Sequence, residues 1–235
     1  MAEPKPRLFV LPPSHYCERA RWALDSMGLD YTEEAWAVGL HVALARRYAP
    51  RTTLPILHTG TEIIQGSGHI LDWTRMPGGD PALEERFEKR IGVLVRQYIY
   101  AATLDDPKSG VRDLILKGVS AAQGSVGRLA WPVTRRLMIA GMNARPALVP
   151  ELEQQMDVEL DWFDSVIGDE RHLVGNQLGR ADITAASLLA PLARPASLPL
   201  YRQARLPPRL EDALGGWSLR PGLRWVERLY AEHRF

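Results

Sequence analysis

The chain has very little cysteine, since Cys17 is the only one among its 235 residues. A single cysteine cannot form a disulfide within the chain, and it cannot supply the thiolates of a cysteine-based zinc site. The histidines are scattered as well, because His41, His58 and His69 show no metal-ligand spacing such as HExxH. The composition therefore predicts no bound metal, and it is typical of a reducing compartment, which we take to be the cytoplasm.

Excess charge and long apolar runs are also scarce. The 29 lysine and arginine residues nearly balance the 28 acidic residues, for a net charge of +1. A chain so near neutral has no global electrostatic reason to bind nucleic acid or an anionic membrane. The most apolar segment, 130–142, contains Arg135 and Arg136 and falls short of the ~20 residues of a membrane span. Residues 1–7 lack the apolar stretch of a secretory signal. We therefore expect neither nucleic acid nor a membrane as a partner.

The residues present are those of a folded protein, with 46% apolar and 24% charged residues. The first part of the chain alternates between strand-like and helix-like patterns. The predicted order is strand, helix, strand, helix, strand, strand, helix, over residues 7–11, 16–27, 31–36, 42–48, 55–57, 62–64 and 67–74. Strands that alternate with helices predict a parallel βαβ unit, and the closing hairpin adds an antiparallel strand.

A turn-rich segment, Met76-Pro-Gly-Gly-Asp-Pro81, separates this α/β pattern from a second part with helical stripes. The predicted organisation is an α/β domain over 1–76, a linker over 77–81 and an all-helical domain over 82–235. A nearly all-apolar run, 183–192, predicts a central buried helix. Residues 110–127, rich in glycine and serine, are predicted to be weakly structured, and residues 193–221 are predicted to be an irregular connection.

The turn Ser14-His15-Tyr16-Cys17 lies where the first strand gives way to the first helix. The open amides and the dipole of a helix start stabilise a thiolate, and they lower a thiol pKa below its reference of ~8.5. Ser14 is either a plain N-cap or a hydroxyl that donates a directed hydrogen bond at this point. Cys17 is either a reactive thiol or a small buried side chain that faces the sheet.

Three further segments are candidates for binding or structure. Leu54-Pro55 precedes a predicted strand, and its peptide bond can be trans or cis. Gln65-Gly66-Ser67 precedes the third helix, where Ser67 is either an N-cap or a donor near amides that bind a carboxylate. Asp182, at the third position of the apolar helix, is interpreted as structural, because it can bond back to the capping residue.

Together and in this order, these segments resemble the glutathione-transferase superfamily. The residues that carry the resemblance are Ser14-x-x-Cys17-Glu18-x-Ala20-Arg21-x-Ala23-Leu24, Thr53-Leu54-Pro55, Ser67-x-x-Ile70-Leu71, Ala181-Asp182-Ile183 and, at the end of the chain, Arg224-Trp225-Val226-Glu227-Arg228. The resemblance implies a thioredoxin-like α/β N-terminal domain and an all-α C-terminal domain.

The resemblance also implies roles for individual residues. Ser14 would be the catalytic residue that activates the thiol of glutathione, the co-substrate. Pro55 would be a cis-proline, and the Leu54 backbone would pair with the cysteinyl part of glutathione. Ser67 would hold the γ-glutamyl carboxylate, and Asp182 would be the acidic member of a helix capping box.

The sequence departs from the family pattern at three places. Gly66 stands where an acidic residue usually contacts the glutathione amino group, and Gln65 is the nearest substitute. Thr53 stands where a basic or amide residue usually meets the glycyl carboxylate, which leaves Arg51 as the candidate. Gly179 replaces the usual serine or threonine of the capping box.

Three functions follow from these patterns. The first is a glutathione transferase that directs the thiolate at a small electrophile, by conjugation, isomerisation or peroxide reduction, in detoxification. The second is a non-catalytic relative with weakened glutathione affinity. The third is a redox protein that uses Cys17. The resemblance alone implies a homodimer.

Overall fold

The computed structural model describes residues 5–168 and 170–234. The chain divides into two compact units. The first comprises the residues up to Met76 together with Arg112–Thr134, and the second comprises Pro77–Val111 and the residues from Arg135 onward. The predicted boundaries at 1–76, 77–81 and 82–235 stay a prediction, and the compact unit that contains the sheet also takes in 112–134.

A four-stranded mixed sheet forms the centre of the first unit. Its strands are β1 Arg7–Val10, β2 Thr32–Ala35, β3 Ile56–His58 and β4 Ile63–Gln65, in the spatial order β2-β1-β3-β4. The β1–β2 pair is parallel, whereas β1–β3 and β3–β4 are antiparallel. The predicted βαβ unit and closing hairpin are therefore confirmed, and the fold class is the expected thioredoxin-like α/β unit followed by helices.

Three helices of the first unit lie near their predicted positions: α1 His15–Ser26, α2 Leu40–Ala45 and α3 Ser67–Thr74. Ser14 begins α1 as its N-cap. Met27, predicted as the last residue of the first helix, is instead the C-cap and is 47% exposed. The predicted helix therefore extends one residue too far.

Two helices occupy the region that was predicted to be weakly structured, α6 Val111–Ile115 and α7 Ala121–Gly141. The glycines that suggested irregular backbone serve close packing instead. A Cβ on Gly127 would lie 2.6 Å from Leu116 Cδ2, so a larger residue here would require the Leu116 side chain to shift. Gly124, one turn earlier, is buried as well.

Among the described residues of the second unit, all the regular elements are helices. Its helices are α4 Pro81–Arg86, α5 Gly92–Thr103, α8 Val149–Ile167, α9 Arg180–Ala193, α10 Pro208–Trp217 and α11 Pro221–His233. Every residue of α9 from Ala181 to Leu192 is buried, which confirms the predicted central helix. Helix α10 lies inside the stretch predicted to be irregular. Pro208 does not prevent this helix, because it occupies the first helical position, where its missing N–H costs nothing. Among the described residues, no helix is long and apolar enough to cross a membrane.

Asp182 fixes the beginning of α9. Its fully buried carboxylate accepts hydrogen bonds from the amides of Leu173, at 2.7 Å, and Gly179, at 2.9 Å. The predicted structural role is confirmed. Gly179 is required by packing, because a Cβ there would lie 2.9 Å from Gly78 Cα. The absent capping hydroxyl is thus explained by the close approach of two backbone segments within the second unit.

We expect Asp182→Ala to lower the free energy of unfolding by about 2–4 kcal/mol, because two amides lose their buried acceptor. Urea unfolding followed by circular dichroism measures this change. Glu211→Ala is the matched control, since Glu211 also lies in the first turn of a helix but is exposed, and its effect should stay within about 0.5 kcal/mol. Equal effects of the two substitutions would contradict the assigned role.

Candidate functional site

Three predicted site segments meet at one edge of the sheet in the first unit. Strand β3 is antiparallel to both β1 and β4. The carboxyl ends of β1 and β4 therefore share an edge with the amino end of β3. Ser14 follows β1, Pro55 precedes β3 and Ser67 follows β4. The topology thus gathers residues that are up to 53 positions apart in the sequence.

Ser14 caps the first helix and keeps a proton to donate. Its amide donates to Leu11 O at 3.0 Å, and its Oγ accepts from the Cys17 amide at 3.3 Å. A hydroxyl has one donor and two acceptor positions, so this cap leaves the Ser14 O–H group able to donate. The residue is half-buried. The N-cap interpretation is correct, and it is compatible with a second role for the same hydroxyl.

The Cys17 side chain is fully buried and packs in the apolar core between sheet and helix. Burial raises the pKa of the Cys17 thiol, and the opposing effects of the Arg21 charge and the Ser14 hydroxyl are smaller. The positive end of α1 therefore does not produce a thiolate at Cys17, because desolvation is the larger effect. The geometry is that of a packed, protonated thiol.

The Leu54–Pro55 peptide bond is cis, as the resemblance implied. Pro55 O accepts a hydrogen bond from the Gly66 amide at 2.9 Å, which ties the start of β3 to the end of β4. Within the described part of the chain, the Leu54 main-chain N–H and C=O have no hydrogen-bond partner. They are thus available to a backbone-like ligand at this edge.

The Gln65 side chain binds the loop before β3. Its amide nitrogen donates to Arg51 O at 2.7 Å and to Thr53 O at 2.9 Å. Its amide oxygen accepts from the Arg51 amide at 3.2 Å. Both amide protons are therefore used inside the chain. In this geometry Gln65 positions the loop that leads to Leu54, whereas the sequence had suggested that it contacts a ligand amino group.

Gly66 has a backbone conformation that favours glycine, with φ 101° and ψ 140°. A Cβ at this position would meet only His69 Nδ1, at 3.7 Å, so space is not the obstacle. A residue with a side chain would instead bear a backbone strain of about 1–3 kcal/mol. Glycine at position 66 therefore avoids backbone strain, at the position where the family resemblance would place an acidic residue.

A buried arginine that the sequence analysis missed completes the site. Arg19 is fully buried, and it donates from Nε and Nη2 to Ser67 Oγ at 3.0 and 2.7 Å. Both acceptor positions of the Ser67 hydroxyl are thus filled, so its own proton is free to be donated. Arg19 lies among Tyr16, Ala20 and Ala23 on the apolar face of α1. A charged residue on an apolar helix face is the sequence signal that could have identified this buried arginine.

Ser67 is the first residue of α3, and Gly66 is the N-cap, so the expectation that Ser67 itself caps this helix is wrong. Its side chain is turned to Arg19 instead. The buried guanidinium, the hydroxyl and the open amides of α3 all favour negative charge. The arrangement can therefore accept a carboxylate at the start of α3, while the Ser14 hydroxyl lies at the start of α1. No group of three or more potential metal ligands occurs among the described residues.

Two family descriptions match the sequence. The N-terminal domain of glutathione S-transferase matches residues 8–75, and the C-terminal domain of glutathione S-transferase matches residues 129–205. Compared with curated protein sequences, the chain matches none.

Solved structures with a similar fold cover nearly the whole chain. A glutathione transferase from Phanerochaete chrysosporium has a TM-score of 0.65 at 16% identity, over 100% of this chain and 99% of that one. A beta-etherase from a Sphingobium strain has a TM-score of 0.57 at 15% identity, over 96% and 99%. Glutaredoxin 2 from Salmonella typhimurium, solved in complex with glutathione, has a TM-score of 0.52 at 16% identity, over 93% and 94%.

At such identities the structural neighbours show the fold alone. The two domain matches together span well over half of the chain. The N-terminal match covers the strands of the sheet, and the C-terminal match lies in the helical part that follows. The chain belongs to the glutathione S-transferase family.

Proposed function

We propose that the chain is a glutathione-dependent transferase in which Ser14 activates the glutathione thiol. The observation that carries the proposal is the shared sheet edge, where the half-buried Ser14 hydroxyl, the Leu54 main chain and the Ser67 hydroxyl meet. Each group has hydrogen-bonding capacity that the chain itself leaves unused. Their order along the edge matches a ligand with a carboxylate, a peptide backbone and a thiol.

The γ-glutamyl carboxylate is assigned to the start of α3. Ser67 donates its hydroxyl proton, and the open amides of α3 add two or three further donors. Arg19 acts as a positioning residue, because it holds both acceptor sites of Ser67 and contributes a buried positive charge. A charge-assisted hydrogen bond of this kind contributes about 1.5–3 kcal/mol to binding.

The cysteinyl part of glutathione is assigned to the Leu54 main chain, which directs the sulfur toward Ser14. The Ser14 O–H group donates to the sulfur, and the positive end of α1 favours the thiolate over the thiol. The thiolate then attacks an electrophilic carbon, a C–S bond forms, and the leaving group departs with its electron pair. Isomerisation and peroxide reduction begin from the same thiolate.

Serine at position 14 argues against thiol–disulfide exchange there, because a hydroxyl cannot form a mixed disulfide. The buried Cys17 does not replace it. The proposal therefore assigns the chemistry to the thiol of the ligand. The substrate is a small electrophile, and the family resemblance supports a cytoplasmic homodimer with a role in detoxification.

The second candidate is a non-catalytic binding protein with weakened glutathione affinity. Gly66 supplies no carboxylate for the ligand amino group, and the Gln65 amide protons are already engaged. Thr53 offers no charge to the glycyl carboxylate, which leaves the exposed Arg51 as its candidate partner. Affinity is the property that separates the two functions.

Calorimetric titration with glutathione, and separately with its disulfide, tests the binding site. We expect saturable heat at millimolar glutathione for the wild type and an affinity roughly 10- to 100-fold lower for Ser67→Ala, because one carboxylate donor is lost. Ser165→Ala is the control, since Ser165 is an exposed helical serine of the second unit. Absence of heat and of a thermal shift at millimolar ligand would exclude the enzyme.

Ser14→Ala tests thiol activation separately from binding. We expect turnover of a chlorodinitrobenzene-type electrophile to fall roughly 10- to 100-fold, with glutathione affinity nearly unchanged, because the sulfur is the only ligand atom that the hydroxyl is proposed to contact. The ultraviolet absorbance of bound thiolate should shift to higher pH in parallel. Ser14→Gly controls for the loss of the helix cap, since glycine at the N-cap destabilises the helix by only about a few tenths of a kcal/mol. Full activity in Ser14→Ala contradicts the proposal.

Cys17 provides a test of the redox alternative. We expect the native thiol to react with an aromatic disulfide reagent about a hundredfold or more slowly than in urea, because it is buried and protonated. Since its folded pKa is raised, only the unfolded thiol loses its proton above pH ~8.5, so the free energy of unfolding should fall there. Cys17→Ala should remove this decrease in the free energy of unfolding with pH. Rapid native labelling would favour a redox role.

A further inference from the structure

Helix α7 exposes a row of large apolar side chains. Leu129 is 86% exposed, Leu137 67%, Val133 60% and Val126 48%. Side chains at such spacings of three and four lie on one face of a helix. We call these four residues the α7 stripe. Solvent exposure of so many large aliphatic side chains in one row is unfavourable for an isolated chain, and it marks a binding surface.

The rest of the helix supports this assignment. Ala122, Ala130 and Ala140 lie on the same face and are exposed, and Arg136 lies at its edge, three residues after Val133. The opposite face contains the buried Gly127 and Met138. The helix is therefore packed on one side and apolar on its free side, which is the reverse of an ordinary surface helix.

The sequence segment that contains α7 is rich in positive charge. Residues 107–148 contain seven lysine and arginine residues but a single acidic residue, Asp113, which leaves 22 basic and 27 acidic residues in the rest of the chain. Arg128 and Arg136 lie on α7 itself and are exposed. The net charge of the whole chain, +1, conceals this local excess. The expectation that the chain avoids anionic surfaces therefore does not extend to this segment.

A cavity of about 620 Å³ lies at the carboxyl end of α7, which supplies four of its seven lining residues: Asp105, Arg135, Arg136, Ile139, Ala140, Asn143 and Arg145. Arg135 pairs with Asp105 at 2.6 Å, and Arg145 donates to Asn143 at 3.0 Å. Arg136 has no hydrogen-bond partner within the described ranges of the chain. Its guanidinium is thus free to bind an anion beside the end of the stripe.

The charge pattern selects among occupants. A second copy that paired through this face would bring arginine against arginine, because α7 contains three arginines and no acidic residue, and the neighbouring Asp105 is already paired with Arg135. A nucleic acid would satisfy the arginines but leave the α7 stripe in water. An anionic lipid surface satisfies both, since it presents phosphates above an apolar layer.

We propose that α7 docks on anionic phospholipid, with the α7 stripe among the acyl chains and headgroups and Arg136 on a lipid phosphate. Helix α7 lies in the plane of the surface, because only one of its faces is apolar. This surface function is independent of the glutathione site.

Co-sedimentation with vesicles tests the proposal. We expect the wild type to bind vesicles of phosphatidylglycerol and phosphatidylcholine, to bind pure phosphatidylcholine weakly, and to dissociate as salt is raised. Leu137→Gln should lower the partition coefficient roughly tenfold. Leu219→Gln is its matched control, because Leu219 is exposed to the same degree, 66%, outside α7. Arg136→Gln should lower binding roughly fivefold, whereas the exposed Arg224→Gln should not.

Three results would overturn the proposal. The first is equal vesicle binding by Leu137→Gln and Leu219→Gln. The second is a wild-type dimer in light scattering that Leu129→Gln converts to a monomer without any vesicle binding, which would make the stripe a contact between copies. The third is binding to duplex DNA that exceeds vesicle binding and does not respond to Leu129→Gln.

Discussion

The pairing of strand β1 with both β2 and β3 is the constraint on which the first unit depends. Leu8, Phe9 and Val10 are fully buried in the middle of the sheet, so the position and direction of β1 are fixed by packing on both faces. The start of α1 follows from that, because the chain turns directly from β1 into the helix. The antiparallel register with β3 then brings Pro55 to the same edge. The candidate site thus arises at this edge from ordinary sheet hydrogen bonding.

Local patterns predicted most of this sheet. The alternation of strand-like and helix-like patterns and the closing hairpin are signals within a few residues, and they predicted all four strands in order. Helices α6, α7 and α10 were missed because glycine and proline signal turns locally. In the folded chain, Gly127 allows close packing on Leu116, and Pro208 begins a helix. Glycine and proline can therefore mark a turn or lie in a helix, and only tertiary contacts distinguish the two cases.

The candidate site was predicted less completely than the fold. Ser14, Pro55 and Ser67 were found by resemblance, since each alone is compatible with a cap or a turn. The role of Gln65 depends on the loop at Arg51 and Thr53, and the role of Arg19 depends on Ser67, which lies 48 residues away. Long-range hydrogen bonds of this kind have no local sequence signature. Net charge does not describe local charge for a related reason, because a sum over the chain hides the basic segment at α7.

The bond between Arg19 and Ser67 has a consequence for how such a site changes during evolution. The pair is buried and joins α1 to α3, so a substitution at either residue would destabilise the folded chain as well as the ligand site. Loss of an acidic side chain at position 66 carries no such penalty, because glycine avoids the backbone strain at that position. Under the proposed function, a lineage that loses glutathione binding is therefore expected to lose exposed contacts such as that of an acidic residue at position 66 first, and the buried Arg19–Ser67 pair last. The buried contacts of such a site are expected to persist after its ligand affinity is lost, because they also stabilise the fold.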